Sequence, residues 1–240
     1  MKRLVVTGLP CPPETWEKFL GSRKNQRILP LVEVFENTQS SDLREMSRYV
    51  TSQIESFAPE SIICHDLGVP LTLMALFRLN RKGVGRGMKI TVFNGAFRKV
   101  DVFKANHPFR IQYMSYERAV KEVLSAGGHI DKRLKNHLPK IRAMYRLIIL
   151  YSLTEKLADL FKVENVIGFN FRTPLKTSVQ IIASRNDPYI PYEAIDQLRR
   201  DFAVKRFYEI DYGHFPYTLS REKFVPLIDE FEKEPSSFYH

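Results

Sequence analysis

The sequence predicts an α/β domain, a mostly parallel sheet covered by helices. Short β-like runs alternate with helix-like segments, as such folds require. The alternation breaks once, between about residues 96 and 177, and then resumes, so a helical segment is inserted into one core. Three of the apolar runs lead into turns holding a carboxylate or an imidazole, at the sheet edge where open α/β folds bind ligands.

In chain order, "RLVVTG" (3 to 8) reads as a strand and "PPETWEKFLG" (12 to 21) as a helix opened by prolines and closed by Gly21. "RILPLVEVF" (27 to 35) reads as the next strand, its first residues held outside the ladder by Pro30. "SSDLREMSRYVTSQIESF" (40 to 57) begins with a Ser/Asp cap and repeats Leu43, Met46, Val50, Ile54 and Phe57 at helical spacing. "SIICH" is a third strand, "VPLTLMALFRLN" an apolar helix and "MKITVFNG" (88 to 95) a fourth strand. Within the insertion, "YERAVKEVLSAGG" and "KIRAMYRLIILYSLTEKLADLFK" are helix-like. The core resumes with "SVQIIAS" (178 to 184), a helix "YEAIDQLRRDF", a strand "KRFYEID" (205 to 211) and a last helix "REKFVPLIDEFEKE". The domain organisation is therefore a core of 1–95 and 178–240, with 96–177 inserted.

A chain of 240 residues, 44% of them hydrophobic, can fill a sizeable core. No apolar run approaches the roughly 20 residues that span a bilayer, and the apolar run after Met1 is too short for a signal sequence, so no membrane partner and a cytoplasmic location are expected. The net charge of +10 is spread along the chain. Its densest groups, "RLNRKGVGRGMK" and "DKRLKNHLPKIR", lack the aromatic interleaving of a stacking platform, so a solvated surface is expected and no nucleic acid. Cys11 and Cys64 have no metal or redox spacing, and His107, His129 and His137 form no ligand set, so no metal or cofactor is implied.

The segment "SIICHDLGVP" carries the chemistry. A strand feeds a helix through Cys64-His65-Asp66-Leu67-Gly68, with small residues at both ends. That is the layout of a nucleophile elbow, in which the middle residue, Asp66, is pushed up and exposed. Taken alone, Asp66 reads first as a cap of the following helix. Two further segments change the balance: "IIASRNDPYIP" ends a strand ahead of Asp187, and "YEIDYGHFPY" ends the next ahead of His214. Nucleophile, acid and histidine in that order are the pattern of one fold. His65, beside the elbow residue, faces the other way along the strand and reads as structural.

These motifs resemble the α/β-hydrolase fold, and within it the branch with an aspartate nucleophile, the epoxide hydrolases and haloalkane dehalogenases. "CHDLG" is similar to their G-H-D-x-G elbow, "ASRNDPYIP" to their acid loop and "YGHFPY" to their histidine loop. "VVTGLPCPPETW" is similar to the H-G-x-P loop followed by a tryptophan, here Trp16. The insertion would be the family's helical lid. Two strands that commonly precede the oxyanion loop have no counterpart ahead of Arg3, so a shortened N-terminal side of the sheet is expected.

The resemblance implies a covalent mechanism. Asp66 would attack a saturated carbon, and His214, oriented by Asp187, would activate the water that cleaves the ester. The backbone N–H groups of Leu9 and Leu67 would hold the oxyanion. Leu67 and Leu9 stand where dehalogenases place halide-binding side chains, which favours epoxide opening on a small apolar substrate. Lid tyrosines supply the acid for that step in the family, and Tyr113, Tyr116, Tyr145 and Tyr151 are the candidates. Thr7 departs from the histidine that usually precedes Gly8. With the aspartate at the elbow, that departure also fits an alternative, a hydrolase-like scaffold that has lost catalysis and serves as a binding or interaction protein.

Overall fold

The computed structural model describes residues 1–84, 87–95, 115–144, 146, 177–202 and 204–235. Six strands, β1 (Arg3–Val6), β2 (Gln26–Leu29), β3 (Ser61–His65), β4 (Lys89–Phe93), β5 (Ser178–Ala183) and β6 (Val204–Glu209), form one sheet in the order β2-β1-β3-β4-β5-β6. Every neighbouring pair is parallel. The strand order reverses at β1, which places a crevice at the carboxyl ends of β1 and β3.

Both faces are covered, so the central strands are mostly apolar, with His65, Thr91 and Gln180 among the buried polar exceptions. Leu4, Val6, Ile62, Cys64, Ile90, Val92, Val179 and Ile181 face one side. They pack under α2 (Leu31–Glu36), α3 (Leu43–Phe57), α4 (Gly68–Arg81) and α6 (Tyr192–Asp201). Val5, Ile63, Phe93 and Ile182 face the other side with Trp16, Phe19 and Leu20 of α1 (Pro13–Leu20) and Phe224 and Ile228 of α7 (Arg221–Lys233). Between β4 and β5 lies α5 (Tyr116–Ser125), followed by a 3-10 helix over Lys132–His137 and helical residues at 138–144 and 146.

The expected strand over 27–35 is half wrong. β2 stops at Leu29, and Leu31–Glu36 is the helix α2, with Pro30 extended at its N-cap. Proline has no N–H for the ladder and its fixed φ suits a helix start. Leu31, Val32, Val34 and Phe35 are buried from the helix. The expected helical inserted segment is described only in part, since 96–114, 145 and 147–176 lie outside the described residues.

The N-terminal edge of the sheet is tied down by charge. The buried Arg3 guanidinium donates to Glu232 through Nε at 2.8 Å and through a second nitrogen at 2.5 Å. It also donates to Asp229 at 2.9 Å. Ser61 donates to Glu232 at 2.6 Å, and Lys89 donates to the Glu232 carbonyl at 2.6 Å and to that of Glu234. Three neighbouring strands are thus clamped to α7 far from the crevice.

Candidate active site

The turn between β3 and α4 holds the first functional side chain. Asp66 has φ +51, a left-handed conformation that costs a non-glycine residue roughly 1–2 kcal/mol. The surroundings impose it. Asp66 N–H donates to the Asn94 carbonyl at 2.9 Å, and Val69 N–H donates to the Asp66 carbonyl at 3.0 Å. The space is closed: a Cβ on Gly68 would lie 2.2 Å from the Val6 carbonyl oxygen, and one on Gly8 2.3 Å from Asp66 Oδ2. Of the two small positions expected from the motif, Gly68 is therefore set by backbone approach. Cys64 fits because it is fully buried among core side chains.

The two oxygens of the Asp66 carboxyl have different surroundings. Oδ2 accepts a hydrogen bond from the Leu9 N–H at 3.1 Å, and the Leu67 N–H also bonds to this carboxyl. Oδ1 lies 4.0 Å from His214 Nε2, beyond hydrogen-bond reach. The side chain is 12% exposed. Burial raises its pKa, against the pull of His214 and the two amides.

His214 follows β6, and Asp187 follows β5. His214 Nδ1 and Asp187 Oδ2 are 2.8 Å apart, and both side chains are buried. The other Asp187 oxygen accepts from the N–H groups of Tyr189 at 2.7 Å and Ile190 at 3.0 Å, which fixes its rotation. The imidazole is boxed by Tyr189 at 4.9 Å, Phe215 at 4.8 Å and His65 at 4.7 Å between ring centroids. Burial opposes the imidazolium, but the Asp187 carboxylate, aided by Asp66, outweighs it and leaves the His214 pKa above its ordinary value. His65 lies beneath. Burial holds its pKa well below the usual value, so the ring is neutral and donates from Nε2 to the His214 carbonyl at 2.9 Å.

Sequence reasoning missed Asn94, read only as the end of a strand. Its Nδ2 donates to the Gly213 carbonyl at 2.8 Å, and its Oδ1 accepts from Ser184 N–H at 2.9 Å. With its own carbonyl on Asp66 N–H, one residue joins the elbow, the acid loop and the histidine loop. An Asn-Gly pair at a strand end, in a fold whose site lies at such ends, was the available signal.

Of the lid tyrosines, Tyr113, Tyr145 and Tyr151 lie outside the described residues. Tyr116 opens α5, whose far end reaches the site: the Glu122 carbonyl accepts from Tyr189 at 3.5 Å, and Val123 packs on the cluster containing Phe215. Tyr116 is about 10 Å from Val123 along the helix axis and on its face. Thr7 is buried, and its hydroxyl has no hydrogen-bond partner among the described residues. No helix among the described residues is long and apolar enough to cross a membrane.

No family model matches the chain, and no curated protein matches it in sequence. Solved structures do. RedJ, a thioesterase from the prodiginine biosynthetic pathway of Streptomyces coelicolor, matches with a TM-score of 0.61 at 14% identity, over 96% of this chain and 90% of its own. An epoxide hydrolase from Bacillus megaterium, solved as a mutant, matches with a TM-score of 0.59 at 14% identity, over 97% and 93%. An α/β-hydrolase fold protein from Burkholderia ambifaria matches with a TM-score of 0.58 at 16% identity, over 95% and 90%. The chain has the α/β-hydrolase fold.

Proposed function

We propose that this chain is a hydrolase in which Asp66 forms a covalent alkyl ester with a small apolar substrate, most like an epoxide, and in which His214 and Asp187 drive its hydrolysis. A lone pair on Asp66 Oδ1 forms the new bond to carbon as the epoxide carbon–oxygen bond breaks. The alkoxide takes a proton from an acid, for which Tyr113, Tyr116, Tyr145 and Tyr151 are the candidates. Water then adds to the ester carbon, Cγ of Asp66, giving its proton to His214 Nε2. Collapse of the tetrahedral adduct releases the alcohol, which takes that proton from His214; the second water proton, left on the Asp66 carboxyl, returns to the acid, and both groups are regenerated.

One observation carries this reading: the Leu9 N–H already holds Asp66 Oδ2 at 3.1 Å, with the Leu67 N–H on the same carboxyl. A serine nucleophile would need those donors for the substrate's oxygen. In ester hydrolysis on an aspartate, the oxygen that becomes negative belongs to the aspartate itself, and it starts where the donors are. Preorganised donors of this kind are typically worth 10²-fold or more each. Asp187 on Nδ1 orients the imidazole, as in other triads. The inserted segment 96–177 serves in this reading as the lid that closes over an apolar substrate.

The test is peptide mass spectrometry of wild type and His214→Ala after exposure to a panel of epoxides and haloalkanes. The variant is expected to accumulate a substrate adduct on Asp66. No adduct on either protein, with small and bulky compounds alike, would discard the covalent mechanism in favour of a scaffold without turnover.

A further inference from the structure

Three chain segments meet at one phenolic oxygen. Tyr217 follows the histidine loop, and its hydroxyl lies 2.7 Å from Cys11 Sγ, two residues past Leu9. The same oxygen accepts from the His129 N–H at 3.4 Å. His129 belongs to the stretch after α5, which is pinned once more to the loop that carries Leu9 and once to α1, the helix that follows that loop. Asp131 N–H donates to the Pro10 carbonyl at 2.8 Å, and Thr15 Oγ1 is 2.9 Å from His129 Nδ1. The packing is equally close. A Cβ on Gly128 would meet Phe215 and Val123 at 2.5 Å, and the Tyr217 and Phe215 rings stack at 5.5 Å.

We propose that Tyr217 is a positioning residue: with Cys11 it latches the inserted segment and the histidine loop onto the loop that holds the Leu9 N–H against Asp66. Cys11 is 2% exposed, and burial pushes its thiol up to about 12, so it is a neutral hydrogen-bonding partner and not a nucleophile. Burial likewise raises the Tyr217 hydroxyl, so the contact is one between neutral groups across the physiological range. The latch acts on the atom that the ester-hydrolysis step needs most, and in this it rests on the function proposed above. A loosened Leu9 N–H weakens the donor for the developing oxyanion. It leaves the attacking oxygen, Oδ1, largely untouched. Hydrolysis of the alkyl ester should therefore suffer more than its formation.

The experiment uses the full chain with Tyr217→Phe, Cys11→Ala, Cys11→Ser and the double variant Tyr217→Phe/Cys11→Ala. Hydrogen exchange read by mass spectrometry on peptides spanning 8–12 and 126–131 needs no substrate. Exchange in both peptides is expected to rise in Tyr217→Phe and Cys11→Ala, no further in the double variant, and to return toward wild type in Cys11→Ser. Single-turnover kinetics with an epoxide that labels Asp66 should show ester hydrolysis slowed about 3- to 10-fold in the first two variants, the range one ordinary hydrogen bond is worth in a rate. Ester formation should change less than twofold. Unchanged exchange overturns the latch, whether or not Asp66 is ever labelled. Faster exchange with equal effects on formation and hydrolysis overturns the positioning role and leaves only scaffolding. Failure of Asp66 labelling in His214→Ala rejects the covalent mechanism and with it the kinetic role, while exchange still decides the contact.

Discussion

Asn94 and Gly213 are joined across 119 residues of chain by a 2.8 Å hydrogen bond from the amide of one to the carbonyl of the other. That bond fixes the backbone immediately before His214, while the same side chain receives the Ser184 N–H at the start of the acid loop. Asn94→Ala leaves both backbone groups unpaired in a buried place, at about 1–3 kcal/mol each if water cannot reach them. Ala at φ +24 adds strain. The expected outcome is a lowered melting temperature together with at least a tenfold slower turnover. Asn94→Asp should be worse at neutral pH, since a carboxylate cannot donate to the Gly213 carbonyl. A melting curve and turnover equal to wild type in both variants would reject Asn94 as the junction of the three loops.

The two glycines at the elbow should fail differently. At Gly68 an added methyl group meets the Val6 backbone, which cannot turn aside. Gly68→Ala is therefore expected to cost stability, about 1–3 kcal/mol as for overpacking elsewhere, measurable by urea unfolding. At Gly8 the methyl meets the Asp66 side chain from its Cβ, 2.5 Å away, to Oδ2 at 2.3 Å, so the nucleophile itself must be displaced. Gly8→Ala should remain folded and lose rate, about 100-fold for a displacement near 1 Å. Equal losses of stability in the two would contradict this division.

The pH dependence has a definite sign. Hydrolysis of the ester requires a neutral His214, whose pKa is raised by Asp187 and Asp66 in spite of burial; once Asp66 is an uncharged ester only the Asp187 part remains. The rate of hydrolysis should therefore fall as pH drops through the midpoint that Asp187 sets. In Asp187→Asn the charge that raises the pKa is gone while burial remains, so the midpoint should move down. The plateau rate should also drop, by about 10⁴-fold if the imidazole is held in the wrong tautomer. Stopped-flow measurement of the hydrolytic step across pH separates the two effects. A midpoint that stays in place would show that Asp187 does not set the charge on the ring.

At the other end of the sheet, Glu232→Ala would leave the Arg3 guanidinium buried without its main partner. Breaking such a pair typically costs about 3–5 kcal/mol. Arg3 lies five residues before Gly8, roughly 16 Å along an extended strand, so turnover per folded molecule should be unchanged. Denaturant titration alongside active-site labelling checks both halves. A variant with full stability would mean that the clamp is redundant with the core beneath it.

The central strands were legible because burial on both faces makes them mostly apolar runs, and the elbow because a carboxylate interrupts one of those runs between small residues. "PLVEVF" misled because Val32 and Val34 favour strands, while Pro30 and the burial of Leu31, Val32, Val34 and Phe35 on one element favour the helix that formed. The order of Asp66, Asp187 and His214 could be read because each follows its own strand. Asn94 and Tyr217 could not be weighted, since the partners of their side-chain polar atoms lie 90 to 120 residues away for one and 88 to 206 away for the other. Spacing along the chain carries no trace of such meetings.

The unequal footing of the two Asp66 oxygens has an isotopic consequence. Under the proposed chemistry, Oδ1 departs with the product and is replaced from water, while Oδ2 stays under the Leu9 amide. The first product made in heavy-oxygen water should therefore carry ordinary oxygen, and the protein should gain the label that the product lacks. Repeated turnover should then bring the protein's mass gain to rest at a single heavy atom. A second heavy atom would reveal a carboxyl that flips between cycles, so the plateau counts how firmly one backbone amide holds its oxygen.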